Sequence, residues 1–136
     1  MKNIIFHQDG TLPLNGEIFV FGSNIAGRHG KGAALEARKN YGAVYGSGFG
    51  LYGNSYGICT KDENLKPLNI NRIKVEIENF CLFTREHIFY RFFVTAVGCG
   101  YAGYTDEQIA PMFEGAINCS FPQSWSCTCC GRYGPS

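Results

Sequence analysis

The chain has 136 residues, of which 45% are hydrophobic, and this is enough for one compact domain with its own core. Twelve Lys and Arg against eleven Asp and Glu give a net charge of +1. This balance excludes a protein that binds the phosphate backbone of nucleic acid through a strong excess of basic residues. No apolar run reaches membrane-spanning length and the first residues do not resemble a signal sequence, so we expect a cytoplasmic protein with no membrane partner.

The first half of the chain alternates strand and helix patterns. A short strand is expected at residues 3–6, and the unbroken apolar run at 18–21 is typical of a strand buried on both faces. From Gly30 the pattern becomes helical, and Gly42 is placed to end that helix. A further strand is expected at 56–59, after a stretch rich in glycine and tyrosine.

The second half continues this alternation. Asn69 is a candidate N-cap for a long amphipathic helix, and residues 89–97 form the best candidate for a central strand. Thr105 and Gln108 fit a capping box, after which we expect the main helix to begin near Pro111. A last strand is expected within 117–121. The pattern predicts an α/β fold with a mainly parallel sheet.

Two glycine-rich segments each follow a strand and precede a helix. The first glycine loop is residues 22–34 and the second glycine loop is residues 98–104. The start of a helix offers unpaired backbone amides and a positive dipole, and glycine lets that backbone come close to a phosphate. Because loops after parallel strands lie at one edge of the sheet, we expect a diphosphate between them. The alternative is that the glycines only form tight turns.

Two common nucleotide motifs do not fit these loops. Gly98, Gly100 and Gly103 have the spacing of the dinucleotide fingerprint, but the last acidic residue of the chain is Glu114, which is too early for the ribose-binding partner. Lys31 precedes Gly32 and no Ser or Thr follows, so the P-loop pattern also fails. We therefore expect neither a Rossmann dehydrogenase nor a nucleoside triphosphatase.

The order of these motifs resembles a macro domain. The shared features are Gly22-Ser23-Asn24 at a strand end, a Gly-x-Gly-x-Ala helix start from Gly30, Thr60 at the end of another strand, and the second glycine loop. The resemblance spans roughly residues 19–121 and includes compact macro-like proteins often carried by phages. It implies a three-layer α/β/α fold with a mixed, mainly parallel central sheet, here a single domain over residues 1–123 with a tail at 124–136.

The resemblance also implies a ligand and the residues that bind it. The ligand is ADP-ribose or a related NAD-derived nucleotide, and no cofactor is expected. Asn24 would bond the distal ribose, Tyr101 or Tyr104 would cover the phosphates, and Asp9 would read adenine unless it is an ordinary turn residue. The expected ligand-binding residues are Asp9, Gly22, Ser23, Asn24, His29, Gly30, Gly32, Ala33, Gly98, Cys99, Gly100, Tyr101, Ala102, Gly103 and Tyr104.

Hydrolysis is the alternative function. Through Thr60-Lys61 and its Gly-Cys-Gly segment, the chain is similar to the macro branch that removes ADP-ribose from protein or DNA. In that branch a lysine attacks the ribose carbon and an acid assists it. Lys61 fits the nucleophile, and Asn24 and His29 are further candidate catalytic residues. The position of the acid holds Ala102, with Asp62 as a weak substitute, so binding is the favoured function.

A binder of this kind would read ADP-ribose marks on protein or nucleic acid, or would sequester an NAD-derived nucleotide. The cysteines suggest no other chemistry. Cys59, Cys81 and Cys99 stand singly in apolar segments and are expected to be reduced. A zinc site from Cys119 with the tail residues Cys127, Cys129 and Cys130 lacks the paired Cys-x-x-Cys spacing, so no metal is expected.

Overall fold

A computed structural model of the chain describes residues 4–100 and 102–128, with the backbone alone for residues 127 and 128. The strands and helices lie in the order β1 (Ile5–His7), β2 (Ile18–Asn24), α1 (Gly32–Asn40), β3 (Gly50–Tyr52), β4 (Ser55–Lys61), α2 (Ile70–Glu86), β5 (Phe92–Val94), α3 (Asp106–Ile109), a 3-10 turn (Ala110–Phe113), β6 (Cys119–Pro122) and α4 (Trp125–Thr128). None of the described helices has the length and apolar character needed to cross a membrane.

The six strands form one mixed sheet in the order β1-β6-β5-β2-β4-β3. Every neighbouring pair is parallel except β3, which runs antiparallel to β4 at one edge. The carboxyl ends of β5, β2 and β4 therefore lie side by side, and the chain leaves all three strands at the same edge of the sheet. The predicted mixed, mainly parallel sheet is confirmed.

Helices cover both faces of this sheet, because successive residues of a strand point to opposite sides. Phe19, Phe21 and Phe93 pack against α1 in one buried cluster. Val20, between Phe19 and Phe21, and Phe92, next to Phe93, belong instead to a larger cluster with α2, the 3-10 turn and Trp125. The fold therefore has the three α/β/α layers that the resemblance implied.

Helix α2 follows the sequence prediction closely. The Asn69 side chain accepts a hydrogen bond from the amide of Asn71 at 2.8 Å, and this supplies the expected cap. The buried side of the helix carries Ile73, Ile77 and Phe80 at the helical period. Its packing on β4 and the 3-10 turn fixes the helix beneath the sheet.

The central strand expected over residues 89–97 is shorter in the structure. Only Phe92–Val94 pairs as β5, and Phe89 is 94% exposed. The amide of Tyr90 donates to the carbonyl of His87, and the imidazole of His87 bonds the carbonyl of Phe83. Residues 87–90 therefore form the turn that ends α2, and these residues do not pair in the sheet.

The main helix expected near Pro111 does not form. The capping box of Thr105 and Gln108 is present and begins the four-residue α3, which confirms that part of the prediction. A 3-10 turn with Pro111 near its start then runs from Ala110 to Phe113, and it stops there because the chain must return to the sheet at Cys119 within a few residues. Proline suits this first turn, since it needs no amide donor there.

Trp125 is fully buried, although the sequence places it in the tail. Its ring packs against Phe113 and Phe121, and its indole N–H donates to Asp106 Oδ1 at 3.0 Å. The packed core therefore extends at least two residues beyond the expected boundary at 123. Cys129 and Cys130 lie outside the described residues, as does the side chain of Cys127, and the division into domain and tail stays a prediction.

Ending the chain after residue 123 removes the Trp125 ring from the core and its hydrogen bond from Asp106. We expect the free energy of unfolding to fall by about 3–5 kcal/mol, the usual effect of deleting a large buried aromatic side chain. Ending the chain after residue 128 is the matched control. Urea unfolding should be followed by circular dichroism, because Trp125 is the only tryptophan of the chain. Equal stability of the two truncated chains would place Trp125 outside the essential core.

Candidate functional site

A cleft of about 720 Å³ opens where the chain leaves β2, β4 and β5, and this volume lies in the range of small-molecule sites. Both glycine loops line it, so the structure brings together the two segments that the sequence singled out. The lining residues are Gly22, Ser23, Asn24, Arg28, Gly30, Lys31, Ala33, Ala34, Tyr45, Thr60, Lys61, Leu65, Thr95, Ala96, Gly98, Cys99, Gly100 and Ala102.

The start of α1 forms one wall of the cleft. Lys31 is the N-cap residue, and its side chain makes no capping hydrogen bond. The first amides of a helix have no partner within the helix, and the aligned peptide dipoles place a partial positive charge there. Because Gly30, Lys31, Ala33 and Ala34 line the cleft, this charged helix end is directed at any bound anion.

The second glycine loop forms the opposite wall. It is closed by two backbone hydrogen bonds, from Tyr104 to Gly98 at 3.0 Å and from Gly103 to Gly100 at 3.0 Å. Gly98 has a φ of +77°, a conformation that residues with side chains rarely adopt, so the turn off β5 requires glycine there. Gly100 is exposed, and a Cβ built on it would meet no atom within 4 Å. This loop therefore presents bare backbone to the cleft.

Asn24 holds the first glycine loop in shape. Its amide nitrogen donates to the carbonyl of Arg28 at 2.9 Å, and its amide oxygen accepts from the backbone N–H of Arg28 at 2.8 Å. Both ends of the amide are thus used within the protein while the residue lines the cleft. Contact between Asn24 and a ligand ribose stays a prediction, but the structural role of its side chain is direct.

His29 belongs to the first glycine loop, but its side chain is buried and does not line the cleft. The residue is fully buried, its ring meets Phe21 edge-on, and its Nε2 is 3.5 Å from Ser23 Oγ. Its Nδ1 has no hydrogen-bond partner among the described residues. Burial lowers the pKa of His29, and the charge of Arg38 lowers it further. His29 is absent from the cleft lining, and its role as a ligand contact or catalytic residue stays a prediction.

Four further expected residues lie outside the cleft lining. Asp9 sits on an exposed turn after β1, at the same edge of the sheet but with β6 and β5 between β1 and β2, and its contact with adenine stays a prediction. Tyr104 directs its hydroxyl to the carbonyl of Leu68 and packs on the core, so it does not cover the cleft. Gly32 and Gly103 belong to the two loops without lining the cleft, and Tyr101 lies outside the described residues.

The cleft offers no carboxylic acid among the described residues that line it. Ala102 is buried in the wall where the resemblance expects the acid. The Asp62 carboxylate accepts from the amides of Asn64 and Lys66, so it stabilises its own turn and cannot replace the acid. Burial and a hydrogen bond with Asp106 raise the pKa of the Cys99 thiol, so that side chain remains protonated and non-nucleophilic.

Three cations, Arg28, Lys31 and Lys61, line the same cleft. Burial lowers the pKa of Lys61, and the charge of Lys31 lowers it further, so the two ammonium groups repel each other across the site. An anion between them would relieve that repulsion. Sequence reasoning did not select Lys31, Tyr45, Leu65 or Thr95, because their positions on a cap and in loops carry no periodic pattern.

The buried imidazole of His29 gives a testable pH dependence. The pKa of His29 in the folded protein lies below its ordinary value of 6.5, so the unfolded chain takes up the proton first. We expect the free energy of unfolding to fall as the pH drops below about 6.5, and to fall less in His29→Phe. Urea unfolding of both proteins at about pH 8 and about pH 5 measures the difference. Burial also lowers the pKa of His7, but both proteins retain it, so identical pH dependence would contradict the assignment to His29.

No protein-family model matches the chain, and no curated protein matches it. Among solved structures, the macrodomain of Mycobacterium tuberculosis DarG is similar with a TM-score of 0.65 at 19% identity, over 88% of this chain and 97% of that one. Two proteins from Bacteroides thetaiotaomicron, one described as of unknown function, are similar with TM-scores of 0.60 and 0.56 at 18% identity; each match covers 88% of this chain, and 97% and 99% of theirs. The chain therefore has the macrodomain fold.

Proposed function

We propose that the chain binds ADP-ribose or a related NAD-derived nucleotide, with the diphosphate held between the start of α1 and the second glycine loop. The observation that carries this proposal is the position of the start of α1, whose residues line the cleft together with the second glycine loop. Helix starts of this kind hold phosphate groups through backbone amides and the helix dipole.

The charge of the cleft supports an anionic ligand. Arg28, Lys31 and Lys61 line it, and its described lining includes no carboxylate. The chain as a whole carries a net charge of only +1, so this positive charge is local. A diphosphate would be attracted by this positive charge, whereas a neutral sugar or a free base would not. The cleft therefore suits a compact dianion better than an extended polyanion.

The nucleotide in this proposal comes from the fold and from the sequence resemblance. The chain has the macrodomain fold, and both glycine loops line one cleft. The motif order Gly-Ser-Asn, Gly-x-Gly-x-Ala and Gly-Cys-Gly resembles macro domains, which bind ADP-ribose. Binding is proposed in preference to hydrolysis. Lys61 lines the cleft as a nucleophile would, but Ala102 supplies no proton to a leaving group and Asp62 is engaged elsewhere.

Isothermal titration calorimetry with ADP-ribose tests the proposal, with AMP and NAD as comparison ligands. We expect saturable binding of ADP-ribose at less than millimolar ligand, and weaker binding of AMP because it lacks the diphosphate. No binding at millimolar ADP-ribose would contradict the proposed function.

The variant Gly100→Val locates that binding in the cleft. Its side chain enters space that no described atom occupies within 4 Å of Cβ, so the fold should tolerate it while the loop backbone loses its access to phosphate. We expect unchanged unfolding and ADP-ribose affinity at least about tenfold weaker. Unchanged affinity would move the ligand to another site.

Charge removal gives a second test. We expect Lys31→Ala and Lys61→Ala each to weaken ADP-ribose binding about tenfold, the usual effect of losing a charged hydrogen bond. Lys66→Ala is the matched control, because Lys66 is exposed in the loop after β4 and does not line the cleft. Equal effects at all three positions would indicate only long-range charge.

The same proteins separate binding from hydrolysis. Incubation of the unaltered chain with ADP-ribosylated protein or DNA should release no free ADP-ribose. Release that disappears in Lys61→Ala would establish the hydrolase and overturn the preference for binding.

A further inference from the structure

The turn that follows β4 forms another side of the cleft, through Lys61 and Leu65. The amide of Asp62 donates to the carbonyl of Lys66 at 2.8 Å, and the amide of Leu65 donates to the carbonyl of Asp62 at 3.0 Å. Next to these bonds, Lys61 and Pro67 pair as an antiparallel bridge. Hydrogen bonds within the chain therefore hold this turn in one shape.

Leu65 is the unusual residue of the turn. Its φ is +64°, a left-handed conformation in which residues other than glycine, asparagine and aspartate are uncommon. Short hairpin turns that need this conformation usually have glycine there. Leucine at this position strains the backbone, and strain of this kind is found mainly at binding and catalytic sites.

The Leu65 side chain does not offset that strain by packing in the core. It is 44% exposed and belongs to neither of the two buried clusters. It lines the cleft instead, on the same turn as Lys61. The turn thus presents an apolar side chain to the cleft next to a cation, and the packing of the described core gives no reason for leucine at this position.

The turn is bonded to the end of the cleft that contains Asn24. The amide of Ile25 donates to the carbonyl of Lys61 at 3.0 Å, so the base of the turn is joined to the residue after Asn24. The sequence resemblance assigns the distal ribose, the sugar beyond the diphosphate, to Asn24. The faces of a sugar ring carry C–H groups, which suit an apolar side chain better than a charged one. Leu65 is therefore placed near the expected position of the sugar.

We propose that Leu65 is a specificity-determining residue, which packs on the distal ribose and makes the cleft select a diphosphate that carries a sugar. The role rests on the proposed function and adds the part of the ligand that sets selectivity. Contacts with the diphosphate are common to ADP-ribose and ADP, whereas contact with the sugar is made by ADP-ribose alone. Removing apolar surface of Leu65 and of the sugar from water together stabilises that complex. The ligand class is thus a nucleoside diphosphate sugar, and not a nucleoside diphosphate.

Calorimetry with ADP-ribose and with ADP tests this role. We expect Leu65→Gly and Leu65→Asn to weaken ADP-ribose binding about tenfold and to change ADP binding less than about twofold. Leu65→Met keeps an apolar side chain of similar volume, so its ADP-ribose affinity should stay within about threefold of that of the unaltered chain. Leu82→Ala is the control, since Leu82 is 47% exposed but does not line the cleft.

Urea unfolding separates this role from a structural one. Asparagine adopts a left-handed φ more readily than leucine, and without the extra chain freedom of glycine. Leu65→Asn should therefore unfold at a urea concentration no lower than that of the unaltered chain, although it binds ADP-ribose more weakly. A lower unfolding midpoint for Leu65→Asn would show that the leucine serves the fold, and would overturn the assignment.

The remaining outcomes distinguish the two proposals. Failure of the unaltered chain to bind ADP-ribose would overturn the proposed function itself. Where the unaltered chain does bind, unchanged ADP-ribose affinity in Leu65→Gly would overturn the role of Leu65 alone. Equal weakening of ADP-ribose and ADP binding in Leu65→Asn would place the side chain on the part that both ligands share, and would overturn selection of the sugar.

Discussion

The shape of the cleft depends on one turn at the end of β2, which two side-chain hydrogen bonds hold in place. The Asn24 amide bonds both the N–H and the carbonyl of Arg28, and this turns the chain back so that α1 begins beside the sheet. The segment around Ser47 then crosses this turn so closely that a Cβ on Gly27 would overlap Ser47, and one on Gly48 would overlap the carbonyl of Asn24. Moving the segment around Ser47 would move both the start of α1 and the loop that carries Tyr45. The positions of these two parts of the candidate site therefore depend on the same contact.

The physical character of the site is that of a donor-rich cavity. Backbone amides at the start of α1, bare backbone in the second glycine loop and three cationic side chains all favour negative charge. The described lining of the cleft includes no carboxylic acid.

The sequence predicted the architecture well where a pattern repeats along the chain. The apolar period of α2 and the run at the start of β2 each involve many residues, so single exceptions do not hide them. Prediction failed where long-range geometry decides. Phe89 and Tyr90 are apolar enough for a strand but lie in the turn that ends α2. The 3-10 turn that contains Pro111 is cut short by the approach to β6.

The same distinction holds for the candidate site. Glycine spacing located both walls of the cleft, because tight backbone approaches require particular local residues. It could not show that His29 is fully buried, that β6 and β5 lie between β2 and the strand before Asp9, or that Tyr45 reaches the cleft. Those positions follow from how the loops pack on each other, and no period or motif in the sequence records that packing.

Trp125 gives the protein an intrinsic fluorescent probe. It is the only tryptophan in the chain, and its indole N–H is bonded to Asp106 at the first residue of α3. Since the second glycine loop ends directly before that helix, a change in the loop alters the surroundings of the indole. The fluorescence of the unlabelled chain can therefore report a conformational change in the second glycine loop.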